Sequence, residues 1–402
     1  MANNTSQGKW QEDELENPLG NTKWVFNSLR RELIVRGTLE NPDGSFAPWH
    51  SLRLNIESVV VLEGVSSICR CAFKYKMEVR AVQIPKTVTS VEDEAFYDCT
   101  ALKQVTLPDS IETIGYRAFG NCFFPSIKIP KSVVSFGGNP FTDCRKLRVF
   151  DISENPNFVF VDGVLMNKEM TQVIYCNHFK TGDYVVPDTV TCICSGAFHG
   201  SDKLNSITIP DSVKEIGDNA FCRCWALKSI TFTGSVETLG ANSFFGCNCL
   251  SEIKVVGESQ NFKIVDGVLY DKEMTRVIRC LREKSGVYEM PNTVKTLDME
   301  AFVSCSKLIS IAISDSVTEI PLGSFCCCSK LETITVPNSV TSIACEAFSY
   351  CKSLASIIIP ESVSSVGEYA FRDCHNLKTL YLPESLLIPP YSFPLTTKVQ
   401  RY

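Results

Sequence analysis

Residues Leu204–Phe221 read LNSITIPDSVKEIGDNAF, and Cys224 follows three residues after the final phenylalanine. Ile207 and Ile209 alternate with Thr208, the period-2 pattern of a strand with one buried face. Pro210 has no N–H to give to a ladder, so the strand stops there. Val213 and Ile216 are expected to point inward along a second extended segment, Gly217 to open a turn, and Ala220-Phe221 to close the coil. Burying one such ring is worth roughly 2–3 kcal/mol.

The same phrase runs through most of the chain. Its phenylalanines are Phe73, Phe96, Phe119, Phe141, Phe198, Phe221, Phe244, Phe302, Phe325, Phe348, Phe371 and Phe393, with spacings of 22 or 23 residues broken twice, by gaps of 57 and 58. Pro85, Pro108, Pro130, Pro187, Pro210, Pro337, Pro360 and Pro383 keep the same ruler. A fixed period in this range marks a repeat array in which each unit packs on its neighbours and the phenylalanines stack into one spine. Each long gap holds the same insert, NFVFVDGVLMNKEMTQVIYC at Asn157–Cys176 and NFKIVDGVLYDKEMTRVIRC at Asn261–Cys280. Asp162 and Asp266 lie 104 residues apart, so a larger module is duplicated. Val-Asp-Gly-Val in each insert signals a tight hairpin.

The phrase IP-x-SV-x-x-IG-x-x-AF-x-x-C-x-x-L resembles the BspA-like, or Treponema pallidum-type, class of leucine-rich repeat over roughly residues 60–390. The VDGVL-x-x-KEMT inserts and GTLENPDGSFAPWHSLRLNIESVVVLEGV resemble segments of that family as well. The resemblance implies a curved β-solenoid, a right-handed superhelix, and a place among bacterial and protist surface proteins for which adhesion to host proteins is the usual proposal. Pro140, Ser324 and Ser392 stand in the Ala slot, and Thr233 and Ser314 in the Pro slot. The expected layout is a disordered tail over 1–20, an N-terminal β cap over 21–63 covered by Trp24, Phe46 and Trp49, and a leucine-rich-repeat solenoid over 64–383. That solenoid has about twelve coils of 23 residues and hairpin-bearing enlarged coils at 155–187 and 259–291, with a closing cap at 384–402.

Composition excludes several function classes. Net charge is −6 and no basic run occurs, which argues against nucleic acid as a partner. No apolar stretch reaches a membrane span. The N-terminal residues MANNTSQGKWQEDELENPLG lack a secretory signal pattern, so the expectation is a cytoplasmic protein, the alternative being a cell-surface one exported by a non-standard route. No G-x-S-x-G, Walker A or HExxH motif is present, and the four histidines share no spacing, so no catalytic residue, cofactor or metal is expected.

Cysteines number 20. Nine lie three residues after a spine phenylalanine: Cys99, Cys122, Cys144, Cys224, Cys247, Cys305, Cys328, Cys351 and Cys374. One per coil at one register reads as a ladder of buried thiols, with disulfides between coils as the alternative. The irregular remainder, including Cys192, Cys194 and the pair Cys326-Cys327 that runs into Cys328, shows weak zinc-site spacing. Thiols without a paired pattern fit a reducing compartment.

Partner contact is expected on the sheet surface. The outward residue two before each Pro slot, and the one two earlier, form a mostly uncharged Ser/Thr strip with apolar members toward the C-terminus. The candidate binding residues are Lys128, Ser206, Thr208, Ser229, Thr231, Thr333, Thr335, Ile358 and Tyr381, the last two as anchors. The plain alternative is good β-propensity at exposed strand positions. The sequence thus predicts a non-enzymatic protein that binds a protein or glycan through a concave sheet, in adhesion or surface recognition, or alternatively as an intracellular interaction scaffold.

Overall fold

The computed structural model describes residues 14–16, 23–37, 47, 49 and 55–402. It divides into two compact units, Met1–Phe179 and Lys180–Tyr402. Both are stacks of β-coils, and among the described residues there is no α-helix. Counted over both units the coils number about 15, in keeping with about twelve regular coils and two enlarged ones.

One coil has three sides. In the coil of Phe221, strand Leu204–Thr208 lies parallel to Ser229–Thr233, with Ser206 opposite Ser229 and Thr208 opposite Thr231. Ile209 makes the last ladder bond, donating to Thr231 O at 2.8 Å, and Pro210 ends the strand. The second side is the two-residue strand Glu215–Ile216, parallel to Thr238–Leu239. Ile207, Ile209, Val213 and Ile216 are all buried.

Gly217 has a different reason from the expected one. A Cβ there would stand 2.5 Å from the Ser195 backbone nitrogen of the preceding coil. The glycine permits close stacking of coils, and it needs no left-handed backbone to do so.

The third side carries the spine and a rule that the residue pattern hid. The residues two before and two after most spine rings have positive φ: Asn219 (55°) and Arg223 (58°) around Phe221, Glu94 (55°) and Asp98 (65°) around Phe96, Glu346 (55°) and Tyr350 (60°) around Phe348, whereas Phe141 has only Asp143 (57°). This geometry aims alternate N–H groups along the stack. Asn219, Phe221 and Arg223 donate to Ala241, Ser243 and Phe245 at 2.9, 3.1 and 2.6 Å, while Cys222 and Cys224 turn back to carbonyls three residues earlier. A left-handed non-glycine residue costs roughly 1–2 kcal/mol. Leaving a buried backbone donor unmade costs a comparable amount, so the strained turn is retained.

In the first unit the spine runs Trp49, Phe73, Phe96, Phe119, Phe141, with centroid spacings of 5.5, 5.1, 5.3 and 6.1 Å. Trp49 opens it, tied by its indole N–H to Ala72 O at 2.7 Å. Phe46 lies outside the described residues. Tyr175 of the first insert packs edge-on against Phe141 at 5.7 Å. In the second unit Phe198, Phe221 and Phe244 stack at 5.5 and 5.9 Å, and Phe302, Phe325, Phe348 and Phe371 at 5.3, 5.4 and 5.3 Å.

Between these two runs stands Arg279, only 1% exposed, at the position Tyr175 holds in the first copy of the module. Its guanidinium donates to Glu300 O and Cys247 O, both at 2.9 Å, and to Phe244 O at 3.5 Å. A planar fork replaces a ring by satisfying carbonyls of the coils on both sides.

The inserts are antiparallel meanders. Phe158–Val161 pairs with Val164–Asn167, which pairs with Gln172–Cys176; Phe262–Val265, Val268–Asp271 and Arg276–Cys280 repeat this. Asp162 (50°) with Gly163 (81°), and Asp266 (48°) with Gly267 (77°), form turns with two successive positive φ values, as an Asp-Gly hairpin demands.

The ends differ from the expected caps. Strand Glu14–Glu16 falls within the stretch expected as a tail, the rest of which lies outside the described residues, and it pairs antiparallel with Lys23–Asn27. The parallel ladder begins before residue 64, since Glu32–Arg36 already pairs parallel with Ser58–Val61. At the other end Lys398–Arg401 adds a parallel strand to Thr379–Leu382. Arg401 caps it by donating to the carbonyls of Pro383, Glu384 and Leu386 at 3.0, 2.9 and 3.0 Å.

Two substitutions test this account. Phe348→Ala should cost about 3–5 kcal/mol, cavity included. Chemical denaturation would show it, and an unchanged midpoint would mean the ring is not a structural member. Arg279→Ala should cost about 3 kcal/mol or more, since three buried carbonyls lose a charged second donor and the stack loses a buried side chain. Arg279→Lys should restore little of that, because one ammonium cannot span both coils; full rescue by lysine would show that the fork is not what matters.

Candidate binding face

The first side of each coil presents two outward columns, because side chains alternate across a strand and a parallel ladder keeps register from coil to coil. In the second unit one column runs Asp183, Ser206, Ser229, Glu252 and its neighbour Val185, Thr208, Thr231, Lys254. Further along, Ser310 faces Thr333 and Ala312 faces Thr335, then Ser356 faces Thr379 and Ile358 faces Tyr381. The eight candidate residues of this unit therefore take matching outward positions in three parallel sheets, Ser206, Thr208, Ser229 and Thr231 in one, Thr333 and Thr335 in the next, Ile358 and Tyr381 in the last. Lys128 holds the matching position in the first unit, opposite Asp151.

Their environments differ. Thr208, Thr333, Thr335 and Ile358 are exposed, Ile358 by 60%, whereas Ser206, Ser229, Thr231 and Tyr381 are half-buried. Tyr381 is more enclosed than an exposed anchor because the terminal strand places Gln400 beside it. Several hydroxyls are engaged within the column: Ser206 Oγ donates to Asp183 Oδ1 at 2.7 Å and Thr333 Oγ1 to Ser310 Oγ at 2.8 Å. Lys128 is held by Glu154 at 2.8 Å, and that hydrogen bond raises its pKa.

Two clefts open on this side. One of about 650 Å³ in the first unit is lined by Gln104, Thr106, Ser126 and Lys128 among others. One of about 560 Å³ in the second is lined by Thr208, Thr231, Thr233 and Val256, with Asp188 and Asp211 at its edge. A third cleft, of about 840 Å³, lies off the columns between Tyr369, Arg372, His375 and the Pro-rich segment Pro389–Leu395.

The face also holds residues outside the candidate set. Val185, two before Pro187, and Val287 are 66% and 67% exposed and apolar. Glu252 and Lys254, ion-paired at 2.9 Å, add charge to a strip expected to be nearly uncharged. Their coil lacks a Pro-slot proline, which was the ruler used. Counting from the ladder cysteine would have placed them, since Ile253 follows Cys247 by the same six residues that separate Ile230 from Cys224.

The cysteines hold the coils rather than the face. Cys99, Cys122, Cys144, Cys224, Cys247, Cys328, Cys351 and Cys374 each donate to the carbonyl of the preceding coil's spine residue, at 3.0–3.2 Å. Cys305 meets insert carbonyls instead, at 3.8 Å. Burial pushes Cys144 up to about 12 and Cys122, Cys328 and Cys351 well above an ordinary thiol. Among the described residues no disulfide joins the cysteines, and no group of three or more His, Cys, Asp or Glu is placed to hold a metal ion. Among them, too, no helix is long and apolar enough to cross a membrane.

A stack of about 23-residue coils, with a parallel sheet on one side, stacked rings within and a thiol ladder at the turn, is a leucine-rich-repeat protein. The model of the BspA type Leucine rich repeat region matches in 6 copies, over residues 66–185, 168–278 and 285–400, and the chain belongs to that family. A leucine-rich repeat protein from Eubacterium ventriosum has a similar structure, with TM-score 0.54 and 23% identity over 87% of this chain and 91% of that one. A leucine rich cell surface protein from Faecalibacterium prausnitzii aligns over 96% of this chain and 93% of its own, at 23% identity and TM-score 0.42. No curated protein matches the chain.

The thiol ladder yields a prediction. Cys351→Ala should leave Phe325 O only its longer bond from Cys328 N–H, at 3.3 Å, and cost about 1 kcal/mol. Cys351→Ser should lose less, as a hydroxyl can also donate. Equal losses in denaturation midpoint would assign the position to packing alone.

Proposed function

We propose that this chain is a non-enzymatic recognition protein that binds a protein or glycan surface through the outward columns of its parallel sheet, in adhesion or surface recognition. The observation that carries the reading is the register. Ser206, Ser229, Thr208 and Thr231 repeat at one rung per coil beside a cleft, with exposed Val185, Ile358 and Val287 on the same side of their coils. Short hydroxyl side chains leave a flat surface that a partner can approach closely, and scattered exposed apolar residues supply desolvation energy. Membership in the BspA-type family supports the same reading.

A second reading, an intracellular interaction scaffold, is favoured by the thiols. Eight ladder sulfurs act as hydrogen-bond donors, a role that needs the reduced form. Surface biotinylation of intact cells separates the two: labelling of the protein supports display, and labelling only after lysis supports the scaffold.

The face itself is tested by capture of partners from the native host's surface and cell extracts with wild type, Ile358→Ala and the double variant Thr208→Arg/Thr231→Arg. The arginines should abolish a sheet-face interaction, and Ile358→Ala should weaken it about tenfold, in line with an interface anchor. Capture unchanged by all of them would place recognition on another side of the coils.

A further inference from the structure

We infer that Cys326 and Cys327 form a redox-active vicinal dithiol, a modification site that closes to a disulfide with a two-electron oxidant such as hydrogen peroxide. The pair lies at the turn side of its coil, one and two residues after Phe325, away from the sheet columns. Its sulfurs stand 3.5 Å apart and both side chains are half-exposed, in contrast to Cys328 beside them, which is buried and donates to Phe302 O.

The peptide that joins the two residues is fixed from both sides. Ser304 N–H donates to Cys326 O, and Cys327 N–H donates to Ser349 O, each at 2.8 Å. Cys327 occupies one of the left-handed positions, with φ 62°. The two side chains thus project from an immobilised turn into a shared space. Closure from this contact to a bond of about 2 Å takes rotation of both side chains together with a twist of the joining peptide, because adjacent Cα atoms, about 3.8 Å apart, stand closer than in most disulfides, and such a strained bond is readily reduced.

The surroundings favour one sulfur as the nucleophile. The hydrogen bond donated by Cys326 draws Cys327 down to about 7, against partial burial and the carboxylates Glu300 and Glu346, with Lys352 assisting; the donor Cys326 moves in the opposite direction. A thiolate is then present at neutral pH next to a protonated resolving thiol.

The chemistry balances with peroxide as the only co-reactant. Cys327 thiolate attacks one peroxide oxygen, the O–O bond breaks, and hydroxide leaves, taking up the proton Cys327 had released to become water. The resulting sulfenic acid is displaced by the Cys326 sulfur, and its hydroxyl departs with the Cys326 proton as a second water. The two sulfurs give up two electrons, and one peroxide becomes two waters.

Peptide-resolved mass spectrometry on the full chain tests this. Reduced wild type at pH 7 should be alkylated by iodoacetamide at Cys327 about tenfold faster than at the exposed Cys345. Stoichiometric peroxide should remove two hydrogens from the peptide holding Cys326 and Cys327, protect both from alkylation, and be reversed by dithiothreitol. In Cys326→Ala, one equivalent of peroxide should take Cys327 only to sulfenic acid, and a second equivalent should advance it to sulfinic acid. The inference is overturned if peroxide leaves both thiols of the wild type alkylatable, takes Cys327 directly to sulfinic acid, or joins it to a different cysteine. The wild-type arm decides even where the variant folds poorly.

Discussion

Coil-to-coil spacing is the constraint from which the rest of the structure follows. Parallel strands stack about 4.8 Å apart, and whatever fills the interior must repeat at nearly that interval. Flat rings do so: Phe73 to Phe96 is 5.1 Å at an interplanar angle of 16°, and Phe348 to Phe371 is 5.3 Å at 5°. A phenylalanine column therefore fixes the coil length, because a coil of another length would shift its ring out of the stack. It also fixes what surrounds it. The Ala slot must be small, the turn must be tight enough to need positive φ beside the ring, and the carbonyl of the ring residue, already bonded by an N–H of its own coil, takes a second donor from the next coil.

That donor is the ladder cysteine. A thiol suits the place because it is apolar enough for full burial and still donates weakly to a carbonyl. Where the repeat is interrupted, other chemistry meets the same demands. Tyr175 ends the first spine edge-on to Phe141, and Arg279 spans the gap between Phe244 and Phe302 by supplying donors. The two copies of the module thus differ most where the column must bridge an enlarged coil. Cys326 and Cys327 form the counterpart of the ladder, the same element at an exposed register where no carbonyl of the preceding spine claims it.

Much of the architecture was legible because it repeats. Leu204–Phe221 disclosed the strand, its stop at Pro210, the inward Val213 and Ile216 and the stacking of Phe221, since each has a periodic cause. The hairpins of the inserts were legible from Asp-Gly alone. The left-handed positions were not, because Asn219, Arg223, Glu94 and Tyr350 share no side-chain chemistry; the shared property is a backbone angle set by the neighbouring coil. The parallel strands Glu32–Arg36 and Lys398–Arg401 at the two ends escaped the pattern for a related reason. These strands lack the Pro-Val-Ile-Phe phrase and gain their place by pairing.

The candidate site divides along the same line. Which residues share a column is a matter of counting, so Ser206, Thr208, Ser229 and Thr231 could be grouped in advance. How accessible each one is depends on what the fold sets beside it. Tyr381 is half-covered because a strand from the chain's last residues pairs next to it, and Lys128 is tethered because Glu154, 26 residues on, lies within reach of its ammonium. By itself the sequence determined the repeat, its period, the inward and outward faces and the ladder of thiols, all consequences of local pattern. Only the tertiary structure decided where the chain divides into two units, which turns carry strain, that Arg279 stands among the rings, and that two adjacent thiols share one fixed peptide. Those depend on contacts between residues about one coil or more apart, which a pattern implies collectively but does not place one by one.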